Sequence, residues 1–563
     1  MIVIAIIHLK LKRKLKINRK YMISKQLIDP KSIVVVGGSD DIHKPGGTVL
    51  RNLQDGNFKG SLYVVNPKMD EVQGIKAYRD VKDLPEVDCA ILAIAAKFCP
   101  STVEVLAKQK NTKAFIILSA GFHEENEEGA KLERQIVETI NSVGGSLIGP
   151  NCIGVLTNHY SGVFTSPIPE LNPQGVDLIS GSGATALFIM DSGMQKGIKF
   201  NSMYSVGNSA QLGVEEILEY MDESFDPKTS SRVKLLYVES IEKPEKLLKH
   251  ASSLIRKGCR IAAVKSGGSA AGSRAASSHT GALASSDVAV EALFRKAGIV
   301  RCNGRDELMT VAGIFMHPEM KGRNMAVVTH AGGPAVMLTD ALSNGGMDVP
   351  HIEGEKAQEL LGKLFAGSSV GNPIDFLATG TAEQLGYILD ACDRDFDNID
   401  GMAVIFGSPG LFPVFDVYNV LDEKMKTSKK PIFPIFPSSK IVKDEIAEFV
   451  SKGRVYFPDE VLFGNALCKI YKTPAPQPEH FEMPDMDVKK IREVVDNAQN
   501  GYLSPDEIHA LLDAAGVARA KEGVSDNEEE IVKMAKEIGF PLVMKVVGPI
   551  HKSDVGGVVL NVS

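Results

Sequence analysis

The chain has no Cys-x-x-Cys pair: its seven cysteines stand singly, at positions 89, 99, 152, 259, 302, 392 and 468. That spacing excludes the common zinc clusters. The odd count argues against a disulfide framework and favours a reducing, cytoplasmic setting. The body of the chain has no long basic run and the formal net charge is −7, so no nucleic acid partner is expected. Nor is there an apolar run long enough to cross a bilayer. Residues 1–9 are apolar but too short, and basic residues follow them at 10–20, the reverse order of a secretory signal. No membrane partner is expected, and residues 1–21 read as a tail or a mis-called start ahead of Met22. Two further absences concern the first strand. The glycines after it do not form a clean G-x-G-x-x-G, and no acidic residue follows the second strand to hold a ribose, which weighs against an NAD dehydrogenase.

Composition is otherwise that of a globular protein, with 44% hydrophobic and 24% charged residues in 563. Short Val- and Ile-rich runs alternate with helical patterns, at 33–36, 62–65, 89–93, 114–118, 177–179, 234–238, 261–264, 325–328 and 402–406. Such runs, often closed by Gly, Ser or Asn, predict an α/β protein with parallel sheets covered by helices on both faces. Boundaries are expected near 150, 310 and 472, the last at the Pro-rich Thr473-Pro474-Ala475-Pro476-Gln477-Pro478. Beyond it, helices are expected over 504–515 and 527–538 and a strand over 540–547, a piece that reads as cut off at Ser563.

Ligands of parallel sheets bind beyond the carboxyl ends of the strands, which directs attention to the small-residue loops there. Gly37-Gly38-Ser39 follows the first strand, with Gly46-Gly47 opening a helix over 48–53. Asn66 and Lys68 follow the second and favour an anionic ligand. Ser119-Ala120-Gly121-Phe122 and Gly149-Pro150-Asn151-Cys152 follow later ones, with ordinary turns as the alternative. Ser180-Gly181-Ser182-Gly183-Ala184 runs from strand into helix and presents N–H groups and hydroxyls suited to an anion. Gly207-Asn208 follows another strand, and Glu239 ends the next, where a carboxylate can orient a histidine ring or be a plain strand-end acid. The histidine in question is His279, alone in a stretch of Gly, Ser and Ala over 266–286 that reads as a loop, between a strand and a helix over 287–297. Neutral imidazole is nucleophilic near neutral pH and can accept and pass on a phosphoryl group. The alternative is a flexible Gly/Ser loop with an incidental histidine.

In this order, Gly149-Pro150-Asn151-Cys152, Ser180-Gly181-Ser182-Gly183-Ala184, Val206-Gly207-Asn208, Tyr237-Val238-Glu239 and Ser278-His279-Thr280-Gly281-Ala282 resemble the ADP-forming (NDP-forming) acyl-CoA synthetases, relatives of succinyl-CoA synthetase. The resemblance spans about residues 22–563, with further matches at 329–334, 371–375 and 545–558. It implies a Rossmann-like CoA-binding domain over 22–150. Flavodoxin-like ligase subdomains would follow over 151–310 (with a phosphohistidine loop) and 311–472, then a linker over 473–500 and the start of an ATP-grasp domain over 501–563.

The same resemblance implies the reversible conversion of acyl-CoA, ADP and phosphate into acid, CoA and ATP, through an acyl phosphate and phospho-His279. It makes Glu239 the orienting carboxylate and places phosphate at Ser182, Gly183, Ala184, Gly207 and Asn208. It puts CoA at Gly37, Ser39, Lys68 and Asn151, nucleotide phosphates at Lys545, and a second transient phosphoryl group on His551. Substrates would be short acyl-CoA, ADP and phosphate, with Mg²⁺ entering on the nucleotide and its ligands lying past Ser563. A homo-oligomer is the family's habit. Two rivals share the early domains: a regulatory or protein acetyltransferase relative without synthetase turnover, and a non-enzymatic CoA-binding module.

Overall fold

The computed structural model describes residues 23–56, 58–280, 286–408, 413–478, 485–499, 501, 503–547 and 556–563, with the side chains of 276–280 outside the described residues. The chain divides into two compact units, Met1–Gln477 and Pro478–Ser563.

Among the described residues the first unit holds three sheets. Strands β1 (Ser32–Val36), β2 (Ser61–Val65), β3 (Glu71–Val72), β4 (Ile75–Tyr78), β5 (Cys89–Leu92), β6 (Ala114–Ile117) and β7 (Ser146–Ile148) form the first, in the order β3-β4-β2-β1-β5-β6-β7. All are parallel except β3, which pairs antiparallel with β4. The last four residues of β1 are buried. Helices cover both faces, so the strand reads as a continuous apolar run rather than an alternation. From β1 the chain passes to β2 on one side, and after β4 it crosses over to β5 on the other side of β1, which makes the carboxyl end of β1 a topological switch point. Gly37 turns there with φ +88, and a Cβ on Gly46 would stand 2.1 Å from the Gly37 carbonyl oxygen. The following helix, Pro45–Asp55, begins earlier than 48 because proline at its first position is pre-set for helix.

The second sheet comprises β8 (Gly154–Leu156), β9 (Ser161–Val163), β10 (Leu171–Ser180), β11 (Phe200–Ser205), β12 (Val233–Val238), β13 (Arg260–Lys265) and β14 (Val300–Cys302), in the order β14-β13-β12-β10-β11-β8-β9. Its parallel strands follow the flavodoxin order, with the switch point between β10 and β12. The antiparallel β8–β9 hairpin closes one edge and ties this sheet to the first: Asn52 Nδ2 donates to the carbonyls of Val163 (2.6 Å) and Thr165 (2.9 Å). The third sheet, β15 (Met325–Thr329), β16 (Ile374–Asp375), β17 (Gly401–Ile405) and β18 (Ile432–Ile435), is parallel in the order β16-β15-β17-β18. One apolar core joins the last two sheets, with Met309 and Phe315 packed in the same cluster as Phe433, Phe457 and Phe463.

The second unit carries helices Val488–Asn497, Pro505–Ala514 and Glu528–Ile538 and an antiparallel pair, β19 (Leu542–Lys545) and β20 (Val558–Val562). Ser504 and Glu507 form the expected capping box. Among the described residues no helix is long and apolar enough to cross a membrane.

One expectation fails. Most of the stretch read as a loop around His279 is a helix, Ala270–Thr280. Alanine is the strongest helix former, and Ala270, Ala271, Ala275 and Ala276 supply it. Ser269 Oγ accepts the Gly272 N–H at 3.0 Å and starts the first turn. His279 thus lies within a helix rather than a loop, and residues 281–285 lie outside the described residues. The helix expected to follow is present as Asp287–Ala297.

Candidate active site

The carboxyl edge of the second sheet is shaped by a clasp at the end of β10. Ser180 Oγ donates to the Ser182 carbonyl at 2.7 Å and accepts the Ser182 N–H at 3.2 Å. The Gly181 N–H donates to the Tyr237 carbonyl on β12 at 3.0 Å. This turn delivers the chain into helix Gly183–Gln195, whose N-cap, Ser182, accepts the Thr185 N–H through its hydroxyl. The N–H groups of Gly183 and Ala184 have no acceptor within their helix, and the helix dipole makes this end attractive to an anion.

A cavity of about 320 Å³ opens there. Ser182, Gly183 and Ala184 line one side, Gly207 and Asn208 the wall after β11, Glu239 the wall after β12, and Asn151 comes from the loop after β7 of the first sheet. Leu118, Ile153, Phe164 and Val238 supply an apolar wall. The two contributing loops are locked together. Gly207 takes φ +52, and a Cβ on it would meet the Pro150 carbonyl oxygen at 2.3 Å. The Asn208 N–H donates to that same carbonyl at 2.9 Å, and the Ala210 N–H to the Gly149 carbonyl at 3.2 Å. Lys243, which also lines the cavity, pairs with Glu216 at 2.9 Å. Glu215 accepts the N–H groups of Glu242 and Lys243 at 2.9 and 3.0 Å, which steadies the segment after β12.

The sequence reading missed three residues beside this cavity: His123, which lines it, and Glu124 and Glu133 behind Asn208. Glu124 follows the small-residue loop after β6, the one local signal that pointed toward it. Burial pushes its carboxyl up, but hydrogen bonds from Asn208 and the N–H groups of Gly121 and Phe122 outweigh that and hold it below the usual range. His123, Glu124 and Glu133 each have a potential metal-ligating atom within 4.8 Å of the others.

Other expected site residues lie elsewhere. Gly37, Ser39 and Lys68 sit at the carboxyl edge of the first sheet and do not line the cavity. Gly37 is demanded by the protein's own packing, since a Cβ there would stand 2.5 Å from the Ala93 carbonyl oxygen. Asn66, read as a ligand residue, is engaged in its turn: its Nδ2 donates to the Gly38 carbonyl at 2.8 Å and its Oδ1 accepts the Lys68 N–H at 2.9 Å. Lys68 is exposed. Lys545 ends β19, exposed, in the second unit. The His279 side chain and all of His551 lie outside the described residues.

Comparison with known proteins agrees along the chain. Residues 31–158 match a CoA binding domain, 173–315 a succinyl-CoA ligase like flavodoxin domain and 494–563 an ATP-grasp domain. The ADP-forming acetate–CoA ligase I of Archaeoglobus fulgidus is 33% identical over 550 residues, 95% of this chain and 77% of that protein. The ADP-forming 4-hydroxybutyrate–CoA ligase of Nitrosopumilus maritimus is 30% identical over 561 residues, 96% of this chain and 78% of that protein. Among solved structures, the dinucleotide forming acetyl-coenzyme A synthetase 1 of Ca. Korarchaeum cryptofilum, in complex with phosphate and ADP, superposes with a TM-score of 0.71 at 26% identity. The match covers 79% of this chain and 96% of that one. With a Rossmann-like CoA-binding domain, two flavodoxin-like sheets and a partial ATP-grasp domain in succession, the chain belongs to the ADP-forming acyl-CoA ligases, acid–thiol ligases that reversibly convert acyl-CoA, ADP and phosphate into acid, CoA and ATP.

Proposed function

We propose that this chain runs that reaction through phospho-His279, with the cavity at the β10–β12 switch point as the place where phosphate meets the thioester. The observation that carries the reading is the convergence of the helix start at Ser182, Gly183 and Ala184 with Asn151, Gly207, Asn208 and Glu239 on one cavity. Phosphate held by the Gly183 and Ala184 N–H groups attacks the thioester carbonyl. The C–S bond breaks, the thiolate leaves as CoA, and acyl phosphate remains. A ring nitrogen of His279 then attacks phosphorus, the P–O bond to the acyl oxygen breaks, and the carboxylate departs. Glu239 holds the other ring nitrogen and steadies the cationic ring that forms. Helix-end N–H groups stabilise the transferred charge without reorganisation. The phosphoryl group passes from His279 to the β-phosphate of ADP, with Lys545 against the nucleotide phosphates and His551 as a second, transient carrier.

CoA lies along Gly37, Ser39, Lys68 and Asn151 in this scheme, and the domains divide at 150, 310 and 472. Mg²⁺ bound with the nucleotide would supply charge neutralisation of its phosphates. His123, Glu124 and Glu133 do not suit it, because the N–H₂ of Asn208 points at both carboxylates and would face the ion. The enzyme works in the cytoplasm as a homo-oligomer on short acyl groups. The test is phosphoenzyme formation. The parent takes up ³²P from labelled phosphate plus acetyl-CoA, and His279→Ala takes up none. Labelling of that variant at another residue would refute the scheme.

A further inference from the structure

Two carboxylates stand directly behind the cavity wall with no part in the scheme above. Glu124 Oε1 accepts the N–H groups of Gly121 (2.7 Å) and Phe122 (3.2 Å), while its Oε2 accepts Asn208 Nδ2 at 2.5 Å. Glu133 Oε2 accepts the same Nδ2 at 3.2 Å, and Glu133 Oε1 pairs with His123 Nδ1 at 2.8 Å. Ionised carboxylates can only accept, so both hydrogens of the Asn208 amide are drawn away from the cavity and its orientation is determined. The Asn208 carbonyl oxygen is left to accept Asn151 Nδ2, at 3.4 Å.

We propose that Glu124, Glu133 and, through Glu133, His123 are positioning residues. They fix the Asn208 amide, and Asn208 in turn presents the second N–H of Asn151 to the thioester carbonyl. The inference rests on the proposed function. A donor aimed at that oxygen stabilises the charge that develops as phosphate attacks. A role limited to joining the sheets is already filled by the backbone, since the N–H groups of Asn208 and Ala210 bind the loop after β7 without any side chain. Two acidic groups beside an anion site also repel its occupant, a cost that orientation of Asn208 accounts for and adhesion does not.

The experiment measures the rate of ³²P labelling by acetyl-CoA and phosphate in the parent, Glu124→Gln, Asn208→Asp and the double variant. In Glu124→Gln the backbone N–H groups keep the side-chain oxygen, so the new amide N–H₂ meets Asn208 and turns it over. Labelling falls about 10–100-fold, with the half-saturating acetyl-CoA concentration within about threefold of the parent and an unchanged melting curve. Asn208→Asp falls at least as far. In the double variant the side chain at 208 again turns an oxygen to Asn151, at the parental net charge, while its other oxygen faces both the new amide at 124 and the Glu133 carboxylate, so the rate recovers part of the loss and exceeds that of the slower single variant. Glu133→Gln, which leaves the Glu124 contacts to the backbone and to Asn208 in place, is the milder probe and loses about tenfold. Parental labelling in Glu124→Gln, or a double variant no faster than the slower single one, overturns the inference. An unlabelled parent overturns the proposed function instead.

Discussion

At the carboxyl end of β10 the Ser180 hydroxyl grips the backbone of Ser182. At the carboxyl end of β15 the Thr329 hydroxyl grips Ala331 in the same way, donating to its carbonyl at 2.8 Å and accepting its N–H at 3.0 Å. Each clasp feeds a helix that opens on glycine, Gly183–Gln195 in one sheet and Gly332–Asn344 in the other. The residues between differ. Gly181 corresponds to His330, whose ring stacks on Phe406 at 4.3 Å, and the capping Ser182 corresponds to Ala331, which offers no side-chain cap. The space in front differs too. Gly183 faces the cavity, whereas a Cβ on Gly332 would stand 3.6 Å from Asp375 Oδ2, so this second helix start has a carboxylate of the protein beside it. Parallel topology and one strand-end hydroxyl are therefore enough to build the helix start. What faces its N–H groups depends on one or two side chains.

The seam between the two sheets supplies the largest expected effect. His317 is buried against Phe433 (5.1 Å) and Phe457 (5.6 Å), its Nδ1 at 2.8 Å from the Gly313 carbonyl and its Nε2 without a partner among the described residues. Burial, helped by Arg454 and Arg260, pushes its pKa down to about 4. Between pH 6.5 and 4 the unfolded chain therefore binds a proton that the folded chain refuses. The stability tied to His317 is complete above about pH 6.5 and is lost as pH falls toward 4, by about 3 kcal/mol in all. His317→Leu should flatten that part of the urea-midpoint profile relative to the parent. Identical acid slopes would separate the seam from the pH response.

Next in size is a paired glycine test. A Cβ on Gly183 would meet Ile153 Cγ2 at 2.6 Å and push into the cavity wall, while the Gly332 position gives ordinary contact. Gly183→Ala should slow phosphoenzyme formation by about 10–100-fold through displacement of the phosphate site. Gly332→Ala should leave the melting temperature unchanged or raise it, because alanine loses less entropy in a helix. Equal thermal losses in both would mean that the two helix starts are equally crowded.

Much of this was readable along the chain, and the reason is physical. A strand buried on both faces must be apolar at every position, so β1, β5, β6, β13 and β17 announce themselves as runs. Two charged exceptions inside such runs pair with each other: Asp177 on β10 meets Lys234 on β12 at 2.5 Å, both nearly fully buried. The helix carrying His279 was hidden because Gly, Ser and Ala were weighed as flexibility, although alanine in that mixture is a helix signal. The Glu124 and Glu133 contacts to Asn208 span 84 and 75 positions, and no local pattern encodes a pairing made by docking one sheet edge on another. For the same reason the loop glycines could be marked as ligand edges, but not divided between those that face the cavity, such as Gly183, and those that serve packing, such as Gly37.

The smallest effect sharpens the comparison most directly, because the missing cap can be moved. Ser182 and Ala331 both hold the extended backbone of an N-cap, with φ −119 and −143, yet only Ser182 accepts an N–H of the first turn through its side chain. Ser182→Ala should cost about 1 kcal/mol and Ala331→Ser should return a similar amount, both read from urea midpoints at neutral pH. Ser182→Ala should also slow phosphoenzyme formation, since Ser182 lines the cavity and its hydroxyl holds the first turn of the helix there. If Ala331→Ser brings no gain, the third-sheet helix start is held by Asp375 rather than limited by its cap. The two helix starts would then differ in their charge environment as well as in one hydroxyl group.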